Sequence, residues 1–176
     1  MSQLFGPVHQ MGYVVRDIES AMRHWTQTMH IGPFYCVDRV PFVEFHYKGE
    51  PRVLEASIAL TYSQNIQIEL IQQLNDTPSA YRDFLAAGDE GLHHLGFLSE
   101  YYERDLRLAA EAGLEIEQSV AIGDPRGAST YFASNGHAGT SLKLISLYAD
   151  NRDLYRMIQT EAERWDGSGP VRRLDL

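Results

Sequence analysis

Two stretches of this chain repeat one pattern 84 residues apart. Set over one another, VHQMGYVVRDIESAMRHW (8–25) and LHHLGFLSEYYERDLRLA (92–109) bring Gly12 onto Gly96, Tyr13 onto Phe97, Met11 onto Leu95 and His9 onto His93. In a chain of 176 residues such a repeat leaves room for two copies of one supersecondary unit and little else. The architecture is therefore constrained before any single residue is considered.

Each copy reads as a short strand followed by a helix. In the first helix Asp17 is an N-cap, and Ile18, Met22 and Trp25 form an apolar stripe. Leu106, Ala109 and Ala110 do the same in the second, which Gly113 ends. Strand-like runs follow: FYCVD (34–38), RVLEASIALTYS (52–63) and NIQIELIQQ (65–73), then EIEQSVAI (115–122), ASTYFAS (128–134) and TSLKLISL (140–147). KGEP, GDPRG and SNGHAG break the chain between runs. The reading is α+β: one domain over 1–176, with βαβββ modules at about 7–75 and 92–148. A connector (76–91) carries a short helix from near Pro78. A C-terminal helix and a tail, DGSGPVRRLDL, loose or docked on a partner, fill 149–176. Sheets of this kind leave edges and apolar faces to cover, so a homodimer is expected.

Period-two alternation assigns the faces. Ile66, Ile68 and Leu70 face the helix, and Gln67, Glu69 and Ile71 face away. Leu142 and Leu144 lie opposite Ser141 and Lys143; Met11, Tyr13 and Val15 lie opposite Gln10, Gly12 and Val14. In the fifth strand Leu95 and Phe97 are apolar-face residues, which sends His94 to the polar face and His93 to the packed side or an interface. One polar residue per strand converges: Gln10, Glu69, His94 and Lys143. A first strand displaced by one residue would offer His9 instead. His24, His30, His46 and His137 show no ligand spacing, and Cys36 is a small core residue.

With MGYVVRDIESAMRHW, IQIELIQ and EGLHHLGF in this order, residues 7–148 resemble the vicinal oxygen chelate superfamily (glyoxalases, bleomycin-resistance proteins and extradiol dioxygenases). The lead-in PSAYRDFLAAGDEG is most similar to the methylmalonyl-CoA epimerase-type branch. The resemblance implies that the modules curl into a cup around a divalent metal, with ligands at the positions of Gln10, Glu69, His94 and Lys143. The usual set is His, Glu or Gln, His, Glu. Here Gln10 and Lys143 depart from it, and a protonated lysine has no lone pair to give a cation. No metal or other cofactor is therefore expected; were one bound, Glu69, His94 and Gln10 would hold it.

The function implied is that of an isomerase or lyase of the glyoxalase or epimerase type, moving a proton next to a carbonyl. Glu69 or His94 would be the base, and Lys143 would stabilise the enolate. Gln10, Tyr131 and Arg126, the last placed near the cup rim, would meet a small, partly aromatic or acidic substrate. The alternative is a metal-free protein of the same fold that binds such a molecule without turnover. A net charge of −9 argues against nucleic-acid and anionic-membrane partners. The N-terminus lacks a signal-peptide pattern, and no apolar run reaches the roughly 18 residues of a membrane span, so the cytoplasm is the expected location.

Overall fold

The computed structural model describes residues 4–133 and 141–175; the SNGHAG turn and His137 lie outside them. Both copies of the repeat build the same unit. The first comprises β1 (Gln10–Val14), α1 (Ile18–Gln27), β2 (Phe34–Val37), β5 (Ala56–Ser63) and β6 (Ile66–Gln73). The second comprises β7 (Gly91–Ser99), α3 (Tyr102–Glu111), β8 (Ile116–Ile122), β9 (Ala128–Phe132) and β10 (Ser141–Ser146). Strands run β2-β5-β6-β1 and β7-β10-β9-β8, and antiparallel pairing of β1 with β7 joins them into one curled mixed sheet.

Local chemistry explains the helices. The Asp17 side chain accepts the Ser20 N–H at the start of α1. Ile18 and Met22 then pack on Phe34, Ile68 and Leu70, so the convex face of module one is a conventional amphipathic seam. The convex face of module two repeats it: Ala109 and Leu106 of α3 meet Phe97, Phe132 and Leu144. Gly113, at φ +81°, takes the left-handed turn that ends α3.

Three strands have no counterpart in the expected pattern. β3 (Phe42–Tyr47) and its short partner β4 (Glu50–Pro51) leave module one and extend module two, with Phe45 paired to Val120 and Tyr47 to Gln118. The tail is not loose but docks on its own chain. Its β11 (Val171–Arg173) pairs parallel with β2, and Arg173 bonds to Asp38 and Glu19. Both outer module edges, β2 and β8, are thus paired within the chain, and the sheet ends instead in the short strands β11 and β4.

The concave face is filled by the chain itself. The connector helix α2 (Ala80–Ala86), capped by Ser79, packs Ala80, Tyr81, Phe84 and Leu85 against Val14, Ile71, Val120 and Tyr131. At the other end the C-terminal helix α4 (Ala149–Glu163) lays Leu154, Tyr155 and Ile158 over Tyr35, Leu60 and Tyr62. Among the described residues no helix is long and apolar enough to cross a membrane.

Candidate functional site

Between these helices lies a polar cluster built by the duplication. Parallel pairing of β1 with β6 puts Gly12 beside Glu69, and parallel pairing of β7 with β10 puts Gly96 beside Lys143. Antiparallel pairing of β1 with β7 then sets Gln10 opposite Gly96 and His94 opposite Gly12. Each copy's glycine makes room for the other copy's polar side chain. A Cβ at Gly12 would lie 1.9 Å from His94 Cε1, and one at Gly96 would lie 2.9 Å from Gln10 Oε1.

The four side chains meet. Lys143 Nζ donates to Glu69 Oε2 at 2.8 Å, Glu69 Oε1 at 3.0 Å and Gln10 Oε1 at 3.1 Å. His94 Nε2 lies 3.0 Å from Glu69 Oε2 and 3.3 Å from Gln10 Oε1. None of the four is more than 5% exposed. Burial alone would raise the Glu69 carboxyl; the Lys143 charge and the His94 hydrogen bond outweigh it and hold it at about 2. Burial lowers His94 to about 4, against the pull of Glu69, so its imidazole is neutral at pH 7.

Two residues outside the expected set orient the first strand's contribution. Gln10 Nε2 donates to Gln67 Oε1 at 2.6 Å, and Gln67 Nε2 donates to the Tyr62 hydroxyl at 3.0 Å. This chain turns the Gln10 amide so that its oxygen faces the ammonium. Alternation along β6 assigns Gln67 to the concave face, but nothing in the sequence identifies Gln10 as its partner.

His93 corrects the alternation argument. The pairing register shifts after Gly12: His94 lies opposite Gly12, while Leu92 lies opposite Tyr13. The residue between them is therefore the extra one of a β-bulge, which re-aims its side chain. Both imidazoles consequently lie on the concave side, with Nδ1 to Nδ1 at 3.2 Å and both rings against Tyr131. His93 is buried between Tyr81 and Phe84 of α2. His9 remains outside the cluster, with its backbone bonded to Gly96 and Gln67.

Tyr131 belongs to the cluster's wall. Lys143 Nζ sits 5.2 Å from the centre of its ring, and its hydroxyl accepts a 2.7 Å bond from Tyr81. Arg126 is elsewhere. It lies in the exposed loop beyond the Ala128 end of β9, paired through two nitrogens with Asp124, and lines a surface groove of about 580 Å³ with Tyr101 and Arg104. A neighbouring carboxylate two residues away, Asp124, holds the guanidinium there.

The donor set does not suit a divalent cation. Three oxygens that could ligate one converge on an ammonium instead, and an ammonium offers a cation only repulsion. Among the described residues no cluster of three His, Cys, Asp or Glu side chains is arranged to hold a metal.

Comparison with known proteins agrees with the geometry of the fold. The pattern of the glyoxalase/bleomycin resistance protein/dioxygenase superfamily matches residues 9–134. A comparison with curated proteins found no relative. Solved structures with the same fold include a methylmalonyl-CoA epimerase from Mycobacterium tuberculosis (TM-score 0.60, 13% identity, covering 87% of this chain and 95% of that one). A hypothetical protein from Bacillus halodurans (0.57, 14%, 82% and 96%) is similar. So is a Streptomyces coelicolor methylmalonyl-CoA epimerase variant in complex with 2-nitronate-propionyl-CoA (0.53, 15%, 82% and 96%). The duplicated βαβββ sheet and the match over most of its length make this chain a member of the glyoxalase/bleomycin resistance protein/dioxygenase superfamily.

Proposed function

We propose that this protein is a metal-free small-molecule enzyme of its superfamily, an isomerase or lyase that moves a proton next to a carbonyl. Lys143 takes the electrophile's part. The observation that carries the reading is the buried contact of Lys143 Nζ with both Glu69 oxygens and Gln10 Oε1.

The chemistry follows from the balance at Glu69. With Lys143 bound, the carboxylate is a weak base. A substrate carbonyl that accepts a hydrogen bond from Lys143 draws the ammonium away, and burial then raises the carboxyl. Glu69 can then take the proton from the neighbouring carbon. The C–H electron pair moves into an enolate, whose oxygen the ammonium stabilises. Return of the proton by Glu69, once the enolate has turned its other face to it, gives an isomer, and loss of a β-substituent gives a lyase product. His94 Nε2 keeps Glu69 Oε2 in place. Acyl thioesters are the first substrates to try, given the likeness to structures of methylmalonyl-CoA epimerase.

A second reading, binding of an acidic or partly aromatic molecule without turnover, is favoured by the weakness of Glu69 as a base in the free protein. One experiment separates the two. Protein purified without added metal or a histidine tag is assayed for metal and for deuterium uptake next to the carbonyl of thioesters and 2-oxo acids in D₂O. We expect metal far below one per chain, and exchange that Lys143→Met abolishes. Metal near one per chain would overturn the proposal, and binding without exchange would select the second reading. A cytoplasmic homodimer is part of the proposal, with light scattering at micromolar concentration as the test of assembly.

A further inference from the structure

We propose that His93 is a positioning residue: the bulge that brings it beside His94 lets its Nδ1–H fix His94 as the Nε2–H tautomer, so that His94 serves Glu69 as a donor and not as a second base. The inference rests on the proposed reaction only in naming Glu69 as the base. The tautomer itself is a separate matter.

The argument begins with what surrounds His94. Its Nε2 faces a carboxylate oxygen at 3.0 Å and the Gln10 amide oxygen at 3.3 Å. Gln10 Oε1 is identified as the oxygen because the same atom accepts from Lys143 and its amide nitrogen donates to Gln67. Both neighbours of Nε2 are acceptors, so Nε2 carries the proton. A neutral imidazole has one N–H, which leaves Nδ1 bare. That atom is buried in a residue with no exposed surface, 3.2 Å from His93 Nδ1. An unmet buried acceptor is costly, and His93 Nδ1–H is the donor in reach.

His93 has a second claim on its proton, the Ala80 backbone carbonyl at the start of α2. The two demands are unequal. If His93 gave its only proton to Ala80, His94 would have to donate from Nδ1 and turn a bare Nε2 on Glu69. That would exchange a charge-assisted bond for a neutral one of about half the strength and set a lone pair against a carboxylate. The Glu69 bond wins, and the proton of His93 goes to Nδ1. The other neighbours of His93, the rings of Tyr81, Phe84 and Tyr131, pack against it edge-on or tilted.

The test is histidine ¹⁵N NMR on the full chain at neutral pH, comparing wild type, His93→Leu and His93→Gln, with His94→Gln for assignment. The wild type should show His94 protonated at Nε2 only and His93 at Nδ1 only. His93→Leu should lose that single-tautomer pattern, with the His94 Nδ1 resonance moving as its hydrogen bond disappears. His93→Gln, whose amide N–H₂ can still donate, should restore it. If exchange activity is found, it should fall with Leu and recover with Gln. A wild-type His94 protonated at Nδ1, or His94 resonances unmoved by His93→Leu, would overturn the assignment even if a variant folds poorly, since the first reading needs only wild type. Absence of turnover in wild type would count against the proposed reaction and leave the tautomer result standing.

Discussion

Removing the Lys143 ammonium puts the largest single load on the reasoning. Lys143→Met keeps much of the stem's volume and leaves the Glu69 carboxylate 5% exposed with the His94 N–H but no counter-charge. The two side chains of the pair are each only 6% exposed, so solvent screening gives little relief. Deleting one partner of a buried pair costs about 3–5 kcal/mol. The carboxyl gives a similar figure: it is held at about 2, and without Lys143 burial carries it above its ordinary value. A swing of about three units at about 1.4 kcal/mol each is again about 4 kcal/mol. For a domain of this size that amounts to a fall in Tm of about 6–20 °C.

The pH dependence makes the prediction specific. In wild type the depressed carboxyl contributes stability that is present above pH 4.5 and is lost as pH falls toward 2. In Lys143→Met the carboxyl is raised, so the variant recovers as pH falls and its carboxyl takes up a proton. Urea denaturation in chelator should therefore show a deficit at pH 7 that narrows by about 1–2 kcal/mol at pH 4. A deficit under about 1 kcal/mol at pH 7, or one equal at both pH values, would refute the account of Glu69. Lys143→Glu extends the test. Two adjacent buried carboxylates cannot both ionise cheaply, so this variant should also be less stable in chelator. Zn²⁺, Ni²⁺ or Mn²⁺ at 100 times Kd should restore about 2.7 kcal/mol to it and little to wild type. A strong metal-induced rise in wild type, or none in the variant, would end the idea that the ammonium stands in for a metal.

Three further outcomes can be checked. Gly12→Ala puts a methyl carbon within 2.1 Å of His94 Nε2 and must displace the ring; overpacking and loss of the Glu69 bond together should cost about 3–5 kcal/mol in urea melts, and a change below about 1 kcal/mol would mean that His94 is not seated over Gly12. His93 and His94 are lowered by burial to about 3 and about 4, so the unfolded chain takes up protons below about pH 6.5 that the fold refuses; stability should fall by about 2–4 kcal/mol between pH 6.5 and 5, and a flat profile would contradict two neutral buried imidazoles. Ile158 is fully buried under α4, so Ile158→Ala should speed hydrogen exchange of α4 amides before those of β6 and β7, and unchanged α4 protection would show that the helix is not held by that contact.

The features legible in the sequence were those set by a local period. Alternation along β6 and β10 correctly separates Ile68 and Leu70 from Glu69, and Leu144 from Lys143, because these strands pair without a shift in register there. The repeat locates Gly12 and Gly96, and pairing of the copies explains why neither can carry a side chain. What was illegible depends on distant partners. In its own module PFVEFHY pairs with the two-residue β4, and most of β3 is held as a strand by the edge that β8 offers. The same holds for Val171–Arg173 against β2. The bulge at His93 is invisible because HHLGF continues the period on either side, and the register shift belongs to the β1–β7 pair. Arg126 shows a simpler limit: proximity to a strand end in sequence does not determine which way a loop charge turns, and here it turns to Asp124.

The geometry also constrains how a ligand can enter the cluster. An ammonium has three N–H donors, and Lys143 has three acceptor oxygens in reach, two from Glu69 and one from Gln10. A ligand oxygen must therefore displace one of them. The Glu69 contacts are charge-assisted and short, whereas Gln10 is a neutral acceptor at the longest distance of the three. Gln10 is the partner a carbonyl would replace first, and an anionic oxygen would compete for it most strongly. The freed amide oxygen remains 3.3 Å from His94 Nε2, so its displacement need not leave a buried acceptor unmet. Exchange at Gln10 is therefore the least costly opening of an otherwise closed set of hydrogen bonds, and a carbonyl seated there would loosen the ammonium's hold on Glu69 and raise its basicity.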